Sequence, residues 1–269
     1  MRARTARLAV IFSLFAGAAA LTAETTLVVT VTDKKTGAPV KDLRPQEFHI
    51  RIGNTPRRVL AADYETGPVD VVLMLDTSLI GGQISSLAPS LIGELDEKEQ
   101  MAIVAYHSAA DLIQEFTSSK DLLRRALGTV EFGNSPRLLD ALYAVAADGF
   151  EGSVYRRVIL LLTSGVDGPS RVTREEVARI CRRNGVSIFP VYMMNYGRSA
   201  LEKLARVTAG AAFNARELAR RSTDPAARVF EVMRGRYRLT LAGNLPLGDK
   251  ARVEIQRKGK YFASYLEME

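Results

Sequence analysis

The sequence predicts an α/β fold: a doubly wound, mostly parallel sheet, with a small β-sandwich module built from strands at the two ends of the chain. Three observations carry this reading. Residues 71–75 (Val-Val-Leu-Met-Leu) form an uninterrupted apolar run, the pattern of a strand buried on both faces of a parallel sheet. From residue 69 to about 233, strand-like runs alternate with segments of helical period, as expected of a parallel sheet covered by helices. Outside that stretch, 26–64 and 236–266 carry only strand signals and polar turns. Neither end has enough strands to be stable alone, so the termini are expected to pair.

The elements follow in order. Residues 26–32 alternate Leu and Val with Thr and read as a strand, closed by the turn Asp33-Lys34-Lys35-Thr36-Gly37. Phe48, Ile50 and Ile52 alternate with His49, Arg51 and Gly53, which puts His49 on the polar side of a second strand; a third runs over 58–64. The first buried strand at 69–76 leads to a helix over 84–95, a strand over 101–106 and its short hairpin partner at 111–116. Helices follow at 120–127 and 138–147, the latter approached through Gly133-Asn134-Ser135-Pro136. A second buried-type strand at 158–163 stops in the loop 164–169, before a helix over 173–184. Then come a strand at 187–192, a helix at 199–208, a short strand at 212–214, and a long helix over 215–233 broken near Asp224-Pro225. The last strands span 236–241, 250–256 and 261–266. These bounds divide the chain into 1–23, an N-terminal β segment at 24–67, an α/β domain at 68–234, and a C-terminal β segment at 235–269.

The first of these pieces differs in kind. Arg2, Arg4 and Arg7 precede an apolar run over 8–21 that ends in small residues. This describes a secretory signal peptide cleaved after Ala20 or Ala23, and the run is short for a bilayer span. The expected location is therefore secreted or periplasmic, with no membrane span after cleavage. Three of the 37 basic residues lie in 1–23, which leaves 34 against 30 acidic ones, a charge of about +4. The Arg pairs (57–58, 124–125, 156–157, 182–183, 220–221) are scattered beside apolar periodic segments instead of clustering with aromatics, which argues against nucleic acid as a partner. Cys181 is the single cysteine, so no internal disulfide supports the fold; it is expected to be buried and inert.

The candidate site starts at the end of the first buried strand, at Asp76-Thr77-Ser78. In an open α/β sheet, ligands sit at the carboxyl ends of central strands, where strand order reverses. A carboxylate and a hydroxyl two residues apart suit a hard cation such as Mg²⁺, Mn²⁺ or Ca²⁺, and they equally suit a helix cap. Ser135-Pro136 and the loop from Ser164 to Asp167 end neighbouring elements and can converge on the same point. For an enzyme, Ser78 and Asp76 with His107 could be brought together, but Asp76 on the same strand end is poorly placed to relay through His107. There is no Gly-x-Ser-x-Gly elbow, phosphate loop, His-Glu-x-x-His or cysteine pair. Gly81-Gly82 could let a partner's backbone approach the crest but fits a turn better, and Met193-Met194-Asn195-Tyr196 could form an adaptable contact surface but reads mainly as core.

Several stretches together resemble the von Willebrand factor type A family, and more closely the secreted bacterial proteins that carry such a domain between β segments. They are 29–43 (Val-Thr-Val-Thr-Asp-Lys-Lys-Thr-Gly-Ala-Pro-Val-Lys-Asp-Leu), Glu47-Phe48, 71–78, Leu138-Leu139-Asp140-Ala141-Leu142, 160–165 and 204–213. The resemblance implies a Rossmann-like sheet and a metal-ion-dependent adhesion site made of Asp-x-Ser-x-Ser, a Thr before a helix and an Asp in a later turn. Asp76 and Ser78 match that pattern. The other positions fall on Ile80, Pro136 and Ser164, which lack the expected ligands; Ser135 and Asp167 are the nearest substitutes. The expectation is a non-enzymatic protein-binding module, secreted or periplasmic, that meets a protein partner at the strand-end crest. Its adhesion site is degenerate and no cofactor is expected. The alternatives are a Mg²⁺-, Mn²⁺- or Ca²⁺-dependent module with a rebuilt site (Asp76, Ser78, Ser135, Asp167) and a hydrolase using Ser78 and His107.

Overall fold

The computed structural model describes residues 24–79, 81–243 and 251–267. The expected signal peptide, Ile80 and the turn after the first C-terminal strand lie outside them. Strand β1 (Glu24–Asp33) is followed by a 3-10 turn at Pro45–Glu47, β2 (Phe48–Ile52), β3 (Thr55–Arg57) and β4 (Val59–Thr66). The chain then runs through β5 (Val69–Asp76), α1 (Gly82–Ser85), α2 (Ala88–Gly93), β6 (Gln100–Tyr106), β7 (Ala110–Thr117), α3 (Lys120–Leu127), α4 (Leu138–Asp148) and β8 (Arg156–Thr163). It continues through α5 (Arg174–Arg183), β9 (Ser187–Tyr192), α6 (Arg198–Arg206), β10 (Phe213–Asn214), α7 (Ala215–Arg221) and α8 (Pro225–Arg234), and closes with β11 (Gly235–Ala242), β12 (Ala251–Ile255) and β13 (Tyr261–Glu267).

Local chemistry explains most of these bounds. Ser119, Thr173, Asn214 and Asp224 each accept a backbone N–H of the first turn of α3, α5, α7 and α8, and Thr173 with Glu176 forms a capping box. The helix expected over 84–95 is two helices instead. Pro89 has no N–H and is tolerated only in a first helical turn, so α2 starts afresh at Ala88. The long helix over 215–233 breaks at Asp224-Pro225 for the same reason.

The central sheet has the order β10-β9-β8-β5-β6-β7, parallel except for the edge strand β7. From β5 the chain steps outward to β6 and β7, then crosses to β8 on the opposite side, so strand order reverses between β5 and β8. Every residue of β5 is buried. Val71, Leu73 and Leu75 pack toward α2, α3 and α8, while Val72 and Met74 pack toward α4, α5 and α6. That two-sided burial is what the apolar run over 71–75 requires.

The two ends of the chain meet, as the shortage of strands at either end requires. One antiparallel sheet has the order β13-β1-β11-β4 and another the order β12-β2-β3, and both contribute to one core. At its centre the Tyr237 ring lies edge-on to Phe48 and Tyr64, each at 5.1 Å, and its hydroxyl accepts the Leu43 N–H. The third strand expected over 58–64 is β4, and the end of the turn expected before it forms a further short strand, β3. Thr55–Arg57 pairs with β2 in one sheet, and Val59–Thr66 pairs with β11 in the other.

Candidate functional site

Asp76 is the last residue of β5, at the point where strand order reverses, and is fully buried. Both oxygens of its carboxylate accept two donors. Oδ1 accepts the Ser78 N–H at 3.1 Å and the Ser78 hydroxyl at 2.6 Å. Oδ2 accepts the Ser164 N–H at 2.9 Å and the Ser164 hydroxyl at 2.6 Å. Ser78 and Ser164 are themselves buried, so the carboxylate is stitched across the switch point between β5 and β8 by four short hydrogen bonds.

The surrounding layer tightens this arrangement. Thr77 donates its N–H and its hydroxyl to the Tyr106 carbonyl at the end of β6. The Tyr106 hydroxyl donates to Thr163 Oγ1 at 2.9 Å, and Gly165 N–H donates to the same oxygen. Burial, and secondly the nearby Asp76 carboxylate, push the Tyr106 phenol well above its ordinary value, so it stays a neutral donor. On the outer side the loop passes so close to Asp76 that a Cβ at Gly81 would overlap the Asp76 carbonyl and Oδ1. Only glycine fits there.

The structure distributes the other candidate residues as follows. Ser78 forms a parallel bridge with Gly133, whose N–H donates to the Thr77 carbonyl, so the loop before α4 reaches the crest. Ser135 in that loop is exposed and Pro136 is buried, its carbonyl accepting the Gly168 N–H. Asp167 is exposed; its Oδ1 accepts the Ser170 hydroxyl at 2.7 Å and the Leu139 N–H at the start of α4. Among the described residues no three His, Cys, Asp or Glu side chains gather as a metal cage. His107 is not joined to Ser78: its Nδ1 accepts the Ser108 N–H, its Nε2 faces Asp111 at 3.8 Å, and the Ser78 hydroxyl is given to Asp76.

Several features of the site were not drawn from the sequence. Ser164 is a direct partner of Asp76, and Tyr106 backs the site; the sole signal for Tyr106 was its position at the end of a buried strand next to β5. The crest also carries large exposed apolar side chains. Leu79 (79% exposed) follows Ser78, and Phe132 (61%) precedes the bridging Gly133. Tyr196 (69%) lies in the loop after β9, whose backbone packs so tightly on Gly165 that a Cβ there would overlap the Tyr196 carbonyl. Met194 is also exposed, whereas Met193 packs against the core as expected of that stretch.

A doubly wound sheet with a buried Asp-x-Ser at its switch point defines an adhesion-type α/β interaction domain. The chain belongs to the von Willebrand factor type A domain family, whose family model matches residues 70–224, more than half of its length. Comparison with curated protein sequences returns no match. Among solved structures the chain is similar to proximal thread matrix protein 1 from the mussel byssus, with a TM-score of 0.53 and 16% identity, covering 65% of this chain and 49% of that one. A second structure of that mussel protein, described with a zinc-occupied MIDAS motif, aligns with a TM-score of 0.54 and 15% identity over 68% of this chain and 50% of that one. An aerotolerance-related membrane protein from Bacteroides fragilis aligns with a TM-score of 0.48 and 9% identity, over 62% and 97%. The chain spans about half the length of the mussel proteins it matches, and likeness at this identity is likeness of fold. Among the described residues no helix is long and apolar enough to cross a membrane.

Proposed function

We propose that this chain is a secreted or periplasmic, non-enzymatic protein-binding module. It meets its partner through the crest above β5 and β8 and needs no divalent cation to do so. One observation carries the reading: the Asp76 carboxylate is already satisfied by four donors from Ser78 and Ser164. A hard divalent ion wants about six oxygens, several of them from protein carboxylates. Here one carboxylate stands beside two hydroxyls that donate to it, and the position where the family supplies a second carboxylate is Ser164. The hydroxyl oxygens could still coordinate, but a single carboxylate supplies too little negative charge for a strong Mg²⁺ or Mn²⁺ site. A rebuilt site would need Ser135 and Asp167 to turn inward, which would give up Asp167's contacts at the start of α4. Leu79, Phe132 and Tyr196 supply apolar contact area of the kind that anchors interfaces. For a hydrolase, the separate commitments of Ser78 and His107 are unfavourable.

The test has two arms. Thermal unfolding in EDTA is compared with unfolding in millimolar Mg²⁺, Mn²⁺ or Ca²⁺; no shift is expected. A ligand at 100 times its dissociation constant adds about 2.7 kcal/mol, so a rise of several degrees with any ion overturns cation independence. In the second arm, partners are captured from an envelope or culture-fluid fraction in EDTA. Capture is expected to persist in EDTA and to be lost in a Leu79→Ser, Phe132→Ser, Tyr196→Ser variant; capture unaffected by that variant removes the crest from the proposal.

A further inference from the structure

Away from the crest, a cleft of about 260 Å³ opens where the chain passes between the terminal sheets and the central sheet. It is lined by Glu65, Gly67, Tyr155 and three arginines, Arg156, Arg234 and Arg236. Charge is unevenly matched there. Arg234 is neutralised by Glu99, to which its Nε and Nη2 donate at 2.8 and 2.6 Å. Glu65 is shared between Arg236 and Arg238. Arg156 hydrogen-bonds no carboxylate among the described residues, and Glu65 acts on it only through space: its Nη1 donates to the Met233 carbonyl, and its Nη2 donates to the Ser187 hydroxyl and the Ala209 carbonyl. Three guanidiniums thus line the cleft with one carboxylate, Glu65. Burial, and after it the positive charge of Arg236, lower the Arg156 guanidinium to about 9. Arg236 itself uses only its Nε in hydrogen bonding to described residues, which leaves its terminal nitrogens unengaged.

An uncompensated cation withdrawn from water costs free energy that a bound anion would recover. We infer that this cleft is a site for a small oxyanion of the phosphate class, held by the terminal nitrogens of Arg236 beside the charge of the Arg156 guanidinium, with Tyr155 at its rim. Guanidiniums suit such a group because their N–H forks match its oxygens. The position gives occupancy a consequence. Arg156 belongs to the central sheet and Arg236 to β11, so one anion ties the two sheet systems together beside the Gly67 N–H to Arg234 carbonyl bond. The inference is independent of the crest reading.

Titration of the full chain with inorganic phosphate, at constant ionic strength in chloride, tests it by calorimetry. Saturable one-site binding is expected, weakened roughly tenfold or more in Arg236→Gln, the worth of one charge-assisted contact. Arg124→Gln, on the exposed face of α3, should bind as the parent does and guards against a general charge effect. A phosphomonoester that binds as well as phosphate assigns the site to an organic phosphate; one that fails assigns it to the free ion. Arg156→Met would remove the clamp on the Met233 carbonyl as well, which makes Arg236→Gln the discriminating variant. Absence of saturable binding in the parent chain, or equal binding in Arg236→Gln, overturns the inference.

Discussion

Replacing Asp76 by Ala tests whether the crest is a closed polar lock or a site waiting for a ligand. The substitution removes an acceptor that serves four donors. The two serine hydroxyls can rotate toward other acceptors. The two backbone N–H groups, of Ser78 and Ser164, cannot move, and both residues are buried. Each orphaned buried donor costs roughly 1–3 kcal/mol, so the pair costs about 2–6 kcal/mol. The desolvation of a lone carboxylate, which its removal relieves, acts in the opposite direction and pulls the result toward the lower end of that range. For a chain of this length the fall in melting temperature is roughly 5–20 °C. Differential scanning calorimetry in EDTA measures it directly. The same carboxylate in an open metal site would be a destabilising feature, and its removal would leave the metal-free protein as stable or more so. An Asp76→Ala variant that melts at or above the parent in EDTA would refute the lock.

Two further outcomes follow from the same kind of contact. Ser164→Asp would put two carboxylates against each other in a buried site; two unit charges about 4 Å apart repel by roughly 4 kcal/mol at an effective dielectric of 20. This variant should lose stability in EDTA and regain it with Mg²⁺, a cation dependence not expected of the parent; equal melting with and without Mg²⁺ contradicts the expectation. At the other end of the molecule, hydrogen bonding from Arg257, and then from the Arg44 N–H, holds the Glu47 carboxyl down at about 2. A depressed carboxyl stabilises the fold above its ordinary value and loses that contribution as pH falls toward 2. An NMR titration should place Glu47 near 2 in the parent and return it upward in Arg257→Met.

How much of this was legible in the sequence depends on the range over which each feature is decided. Strand β5 was plain because burial on both faces leaves a continuous apolar signature, and α5 because Thr173 and Glu176 mark its start three residues apart. The division of residues 55–66 between two sheets was not, because the choice rests on partners in β2 and β11, the latter some 170 residues away in the chain. The site shows the same limit. Asp76 and Ser78 are local and were readable; Ser164 read as a lost ligand, since its bond to Asp76 spans 88 positions and appears only once β8 lies beside β5. Tyr196 read as part of a mainly core stretch and is exposed, because the residues after β9 leave the sheet and turn out over the crest.

The position of Ser164 also explains how the fold can keep Asp76. A buried carboxylate needs compensation, either from a cation or from donors. With an acid at position 164, donors alone would be too few for two charges, and a cation would become obligatory. With serine there, a hydroxyl and an N–H come from one residue, and together with the same pair from Ser78 they complete the shell around a single charge. The closed shell ties β5 to β8 and holds the Leu79 and Phe132 loops at fixed positions through the Ser78–Gly133 bridge. Beyond it project the apolar side chains of Leu79, Phe132 and Tyr196, among exposed polar residues such as Ser135 and Asp167. On the proposed reading, a domain built this way gives up selection by metal-bridged carboxylates and keeps a rigid platform whose specificity lies in the side chains that surround it.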